Sequence, residues 1–104
     1  MGKKEWCNIL ERAFQSEVIK EIKERLVGAI VLKNDPNYLQ GVPDLIILYS
    51  DRWAALEVKK TKEARLQPNQ QYYVLLMNSM SYASLIHPEN KKEVLDELEQ
   101  ALRI

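Results

Sequence analysis

The chain has 104 residues, and its 15 Lys and Arg residues balance its 15 Asp and Glu residues. This length predicts one domain, residues 1–104, with a single core and no separate substrate-binding module. One cysteine excludes an internal disulfide, and one histidine excludes a Cys–His zinc pattern. Because no apolar stretch reaches membrane-span length and Met1 to Glu5 is not a signal-peptide start, we expect a cytoplasmic protein without a membrane partner.

The first third of the sequence predicts a long amphipathic helix and then a strand. Apolar residues recur every fourth position between Lys4 and Leu26, with no proline or glycine among them. These positions are Leu10, Phe14, Val18, Ile22 and Leu26. Gly28 fits the end of the helix, and the β-branched run Ala29 to Lys33 predicts the first strand. A turn and a polar loop reaching Gly41 follow.

Two apolar runs after this loop predict a hairpin. Leu45 to Tyr49 is continuously apolar, Asp51 and Arg52 form a polar break, and Trp53 to Lys59 is the partner strand. Side chains alternate faces along a strand, so Glu57 and Lys59 should project from the same side. Pairing through a short turn would place Asp44 opposite Glu57 and Lys59.

The last third of the sequence predicts a helix, a strand and a final helix. Pro68 suits the first turn of a helix continuing to Met80, Tyr82 to Ile86 predicts a fourth strand, and Glu89 to Leu102 predicts the last helix. We expect the middle helix to use five apolar positions, which are Tyr72, Tyr73, Leu75, Leu76 and Met80. The order α-β-β-β-α-β-α predicts an α/β fold with a mixed four-stranded sheet flanked by helices.

Pro43-Asp44 and Glu57-Val58-Lys59 resemble the two halves of the motif of the PD-(D/E)xK nuclease superfamily. Within that superfamily the chain is similar to the stand-alone, phage-like nuclease domains of the VRR-Nuc type. Glu17 on the first helix and Leu66 to Gln70 add to the resemblance, which covers the chain from Glu17 to His87. It implies a restriction-endonuclease-like core and a metal-dependent DNA endonuclease acting on branched DNA such as four-way (Holliday) junctions. For a viral protein the location would be the host cytoplasm.

The resemblance also implies roles for individual side chains. Glu17, Asp44 and Glu57 would hold Mg²⁺ or Mn²⁺, since carboxylate oxygens suit these hard cations. Lys59 would orient or help deprotonate the attacking water and offset charge at phosphorus, and Gln70 would contact the site or the scissile phosphate.

Each of these residues also has a plainer interpretation. Asp44 suits a turn aspartate, Glu57 a cross-strand ion pair, Lys59 a solvated strand end and Gln70 a helix cap. Glu21 and Glu24 compete with Glu17 for the helix role, and Tyr72 and Tyr73 suit either core packing or stacking on an unpaired base. A non-catalytic nucleic-acid-binding module that retains the nuclease fold is therefore the alternative function.

The charge distribution predicts where DNA would bind. Five cationic residues and two acidic residues lie between Arg52 and Arg65, whereas the segment from Glu89 onward has five acidic and three cationic residues. We therefore expect a positive surface beside the site, here called the basic rim and consisting of Lys60, Lys62 and Arg65. We also expect a symmetric homodimer, because cutting both strands of a junction needs two related sites. Its predicted contact is the start of the first helix, at Trp6, Ile9 and Leu10.

Overall fold

A computed structural model describes residues 3–103, with side chains from Ile9 to Arg103. Three helices and four strands follow one another in the predicted order. They are α1 (Lys3–Arg25), β1 (Ile30–Lys33), β2 (Leu45–Tyr49), β3 (Arg52–Val58), α2 (Pro68–Met80), β4 (Tyr82–Ile86) and α3 (Lys91–Arg103). The prediction of an α/β fold with a mixed four-stranded sheet and flanking helices is confirmed. The side chain of Trp6 lies outside the described part, so its predicted interface role stays a prediction.

The four strands form one sheet in the order β1-β2-β3-β4. β1 and β2 are antiparallel, as are β2 and β3, whereas β3 and β4 are parallel and are connected through α2. In the β2–β3 hairpin Tyr49 pairs with Arg52 across a two-residue turn, and Ser50 takes a positive φ of 58° there. This pairing sets the register in which Leu45 lies beside Leu56. The next positions outward are Asp44 and Glu57.

The hydrophobic core lies between one face of the sheet and helices α1 and α3. Alternate residues of β2 and β3 point into it and are fully buried, because the strand period of two sends every second side chain to one face. From the sheet these are Leu45, Ile47, Ala54, Leu56 and Val58. The helices contribute Phe14, Val18, Ile22 and Leu26 from α1, and Val94, Leu95, Leu98 and Leu102 from α3. The apolar stripe predicted for α1 is confirmed, apart from Leu10, which is 42% exposed.

The other face of the sheet is covered by α2. α2 packs on β3 and β4, but none of its residues is fully buried. Of its five predicted apolar positions, Tyr73 and Leu76 are half-buried, whereas Tyr72, Leu75 and Met80 are exposed. Their burial would need a further layer outside α2. No helix within residues 3–103 has the length and apolar character needed to cross a membrane.

Candidate active site at one end of the sheet

The candidate site lies where β2 begins and where β3 and β4 end. The hairpin register places Asp44, just before β2, alongside Glu57 near the end of β3. The Asp44 carboxylate accepts a hydrogen bond from the backbone N–H of Val58, with 2.9 Å between Oδ2 and N. The turn-aspartate interpretation expects a bond to N–H groups close by in the chain, whereas Val58 is 14 positions from Asp44. Here the bond ties Asp44 to the neighbouring strand, so both carboxylates are held by the same hairpin.

Glu57 is a buried carboxyl group, with only 2% of the residue exposed among otherwise apolar buried residues. Burial and the nearby negative charge of Asp44 raise its pKa from an ordinary 4.5 to about 7, against the opposing attraction of Lys59. Burial also raises the pKa of Asp44, although the Val58 N–H and Lys59 oppose this. Two carboxyl groups therefore share a poorly solvated site in which their ionised forms are disfavoured.

Lys59 and Gln70 complete the group around Glu57. The Lys59 ammonium is 3.4 Å from Glu57 Oε2, and its side chain is only 12% exposed. Gln70 donates from Nε2 to the same Glu57 oxygen at 3.1 Å and accepts from Lys59 at its Oε1 at 3.3 Å. One amide therefore contacts both charged side chains. Glu57 thus forms an ion pair with a lysine, but Lys59 lies two positions further along the same segment of the chain, so this is not the cross-strand pair of the plainer interpretation.

The start of α2 fixes the position of Gln70. Gln70 Oε1 also accepts from the backbone N–H of Gln67 at 2.9 Å, which satisfies one of the free donors at the helix start. Pro68 occupies the first helical turn, as predicted. Both predicted roles of Gln70, helix capping and contact with the site, are thus served by one side chain.

The loop between β1 and β2 holds Asp44 from the other side. Asn34 donates its backbone N–H to the Asp44 carbonyl at 2.9 Å, and its side-chain amide donates to the Pro43 carbonyl. Gly41 has a φ of +93°, and a Cβ added to it would come within 2.9 Å of Asn69. The loop therefore passes against the first turn of α2, and only glycine fits at this approach.

Glu17, predicted as a metal ligand, lies elsewhere. Its carboxylate forms an ion pair with Lys91 at the start of α3, with 2.9 Å between the charged atoms. The α1 carboxylate that interacts electrostatically with the site is that of Glu11. Burial and Asp44 raise its pKa, whereas Lys59 and Lys60 lower it. Six residues along a helix correspond to about 9 Å and a rotation of about 240°, so Glu11 and Glu17 project from different levels and different sides of α1.

The expected set of three acidic ligands is therefore not assembled as predicted. Among side chains 9–103, no three His, Cys, Asp or Glu residues are grouped closely enough to hold a metal ion. Asp44 and Glu57 remain as an adjacent pair. Mg²⁺ commonly uses one or two carboxylates and completes its coordination with water and phosphate oxygens, so a pair fits this ion in donor chemistry.

The basic rim lies on the connection between β3 and α2, immediately after Lys59. Lys62 forms an exposed ion pair with Glu89 at 3.3 Å. Lys60 is close enough to the site to act electrostatically on Glu11. Exposed ion pairs contribute little and are readily exchanged, so pairing with Glu89 does not prevent Lys62 from contacting a phosphate.

Comparisons with known proteins identify no relative: no family model, curated protein or solved structure matches this chain. The arrangement of Asp44, Glu57, Lys59 and Gln70 is therefore the main indication of function.

Proposed function

We propose that the protein is a divalent-metal-dependent DNA endonuclease with a restriction-endonuclease-like core of the PD-(D/E)xK, VRR-Nuc type. The observation that carries this proposal is the convergence of two carboxyl groups, a lysine and a glutamine at one sheet end. The pKa of Glu57, raised to about 7, supports it further. Buried acidic pairs are costly in a purely structural role, and strongly perturbed pKa values concentrate at functional sites.

The donor set fits Mg²⁺ or Mn²⁺. Asp44 and Glu57 would hold the ion, and its positive charge would offset the repulsion and poor solvation that raise their pKa values. A bound ion supplies Lewis acidity toward the phosphate and a more acidic water. Glu11 is placed to contribute long-range negative charge from α1.

The remaining residues would bind and orient the reacting groups. Lys59 is partly shielded from water, so its positive charge acts strongly on a phosphate or an attacking water beside Glu57. Gln70 is a positioning residue, because it holds both Glu57 and Lys59 from the first turn of α2. The basic rim would contact the DNA backbone on either side of the scissile phosphate.

Branched DNA, including four-way junctions, is the proposed substrate class, and a symmetric homodimer is the proposed working form. Ile9 and Leu10 on α1 are 39% and 42% exposed, which leaves an apolar surface at the helix start for an isologous contact.

Calorimetric titration with Mg²⁺ or Mn²⁺ tests the metal site separately from activity. We expect saturable binding by the wild type and by Asp51→Asn, and loss of binding in Asp44→Asn. Asp51 is a matched control because its side chain is 91% exposed at the turn of the same hairpin, at the opposite end of the strands. Equal binding by all three proteins, or none by the wild type, would favour the alternative of a non-catalytic nucleic-acid-binding module.

A further inference from the structure

The loop between β1 and β2 contains a cavity that the proposed catalytic group does not use. It measures about 310 Å³, and we call it the loop cavity. Five residues line it: Asn34, Asp35, Tyr38, Leu39 and Val42. We propose that the loop cavity is a subsite for one unpaired nucleobase of the nucleic-acid substrate, with Tyr38 as its stacking platform. This inference rests on the proposed nuclease function and names the substrate feature that the site would select.

The exposure of Tyr38 is the first observation that points to a ligand. Tyr38 is 90% exposed, more than any other large hydrophobic side chain among those described, and Leu39 beside it is 46% exposed. An aromatic ring left in water at a cavity offers a flat apolar surface, and proteins that bind single-stranded nucleic acids stack bases on such rings. The volume is at the lower end of the range of small-ligand pockets, which suits one base.

The lining chemistry favours a base over a phosphate. Tyr38, Leu39 and Val42 supply aromatic and aliphatic walls, whereas none of the five lining residues is basic. Asp35 would repel a phosphate but can accept hydrogen bonds from the N–H groups on a base edge. A cavity with apolar walls and a few polar groups that fix orientation is typical of a small-ligand site.

Hydrogen bonds connect the loop cavity to the catalytic group. Asn34, one of the lining residues, donates to the carbonyls of both Pro43 and Asp44. Within the same loop, the Tyr38 N–H donates to the Asp35 carbonyl, and Asp35 Oδ1 accepts from the Asn37 N–H. Tyr38 therefore lies on a hydrogen-bonded turn, and Asn34 at the start of that turn is hydrogen-bonded to the Asp44 backbone. A nucleotide whose base occupied the cavity would be held at a fixed offset from the candidate site.

The subsite predicts selection for DNA that presents an unpaired base. A base within a duplex must leave its stack before it can enter a cavity, whereas a flap or a branch point offers one at lower cost. Selectivity for branched DNA would then come partly from Tyr38, which is not part of the metal-binding pair. An aromatic side chain of a protein partner is the competing occupant, and the binding test below distinguishes it.

The test measures binding with a fluorescent base, under conditions without cleavage. The probe is a flap DNA with 2-aminopurine at the unpaired position beside the duplex, and its reference is the same sequence fully paired. Fluorescence and anisotropy are followed in EDTA and again with Ca²⁺. Tyr38→Ala is compared with Tyr38→Phe, which retains the ring, and with Leu75→Ala, which removes an exposed apolar side chain from α2.

We expect wild type, Tyr38→Phe and Leu75→Ala to quench the flap probe and bind it equally. Tyr38→Ala should lose the quenching and bind the flap about 5- to 140-fold more weakly, as stacking on one ring implies, while its affinity for the paired reference stays unchanged. Equal flap binding by Tyr38→Ala and wild type would overturn the subsite. An equal loss of affinity for the flap and the paired DNA in Tyr38→Ala would overturn it too. So would the absence of quenching by the wild type in both EDTA and Ca²⁺, which would favour a protein side chain as the occupant of the cavity.

Cleavage assays distinguish failure of the proposed subsite from failure of the proposed nuclease activity. If Tyr38-dependent quenching occurs but no metal supports cleavage, the subsite stands and the proposed activity fails. If the wild type cleaves and Tyr38→Ala cleaves flap and duplex DNA in the wild-type ratio, the nuclease stands and the subsite fails.

Discussion

Replacing Glu57 with glutamine should make the protein more stable at alkaline pH in the absence of metal. Glutamine has nearly the volume of a protonated glutamate and can still accept the hydrogen bond from Gln70. It also removes the ionisation that burial and Asp44 oppose. The expected stabilisation is unusual for a buried polar residue, because most substitutions in a core destabilise.

The sign and size of this change in stability follow from the linkage between proton binding and folding. Glu57 has a pKa of about 7 in the folded chain and an ordinary value of 4.5, so the folded state binds more protons between these values. The stability of the wild type therefore falls as the pH rises through this window, and the loss is complete above it. At about 1.4 kcal/mol per pH unit, the loss is about 3 kcal/mol. The attraction of Lys59 is already included in the pKa of about 7.

Urea unfolding at pH 4.5, 6, 7 and 8.5 in EDTA measures this effect. The free energy of unfolding of Glu57→Gln, minus that of the wild type, should rise by about 3 kcal/mol between the lowest and highest pH. Glu63→Gln makes the same chemical change at an exposed position of the β3–α2 connection and serves as the matched control. At pH 8.5, Mg²⁺ at ten times its dissociation constant should stabilise the wild type and Glu63→Gln by about 1.4 kcal/mol, but not Glu57→Gln.

Two outcomes would refute the reasoning about Glu57. One is a difference between Glu57→Gln and the wild type that does not change with pH. The other is a variant that is less stable than the wild type at pH 8.5, which would show that the ionised carboxylate and Lys59 stabilise the fold as an ordinary ion pair.

Four further predictions follow from the site. Glu11→Gln should weaken Mn²⁺ binding severalfold in calorimetry whereas Glu17→Gln should not, and the reverse order would restore Glu17 to the site. Lys59→Ala should reduce the rate of cleavage at saturating metal by at least about tenfold with less effect on metal affinity, whereas equal losses would indicate a structural lysine. Replacing all three basic-rim residues with alanine should reduce the salt dependence of DNA binding by up to about three units of slope, and an unchanged slope would place the DNA elsewhere. In mass measurements at micromolar concentration, the wild type should be a dimer and Leu10→Glu a monomer. A monomeric wild type would contradict the proposed homodimer.

The part of the site on the sheet could be predicted from the sequence because local rules determine it. Strand alternation and a two-residue hairpin turn are enough to bring Asp44 beside Glu57 and to place Lys59 on the same side. Pro68 marks the start of α2, and this fixes Gln70 in its first turn.

The part of the site on α1 could not be predicted in the same way. Glu11 and Glu17 both border the apolar stripe, so the sequence pattern alone does not distinguish them. Which turn of α1 lies at the catalytic end depends on how the helix docks along the sheet, and this is determined by tertiary contacts of the whole core. The Lys91 partner of Glu17, 74 positions away in the chain, could not be inferred locally either.

The loop cavity could not be predicted locally either. Tyr38 follows Asn34-Asp35-Pro36-Asn37, a strong turn signal, and the sequence pattern does not distinguish it from the polar loop around it. An exposed tyrosine inside a long loop would have been a usable signal, since surface loops often carry functional residues. The exposed apolar positions of α2 could not be predicted as exposed. An apolar pattern indicates a helix face but does not indicate whether another layer covers it.

Cleavage of a DNA panel tests whether Asp44 belongs to a metal-dependent nuclease site. Duplex, single-stranded, flap and four-way-junction DNAs would be incubated with wild type, Asp44→Asn and Asp51→Asn, in Mg²⁺, in Mn²⁺ and in excess chelator. We expect cleavage of at least the branched DNAs by the wild type and Asp51→Asn with either ion, none by Asp44→Asn, and none by any protein in chelator. Cleavage that persists in chelator or in Asp44→Asn, or no cleavage of any DNA by the wild type with either ion, would contradict the proposed nuclease site.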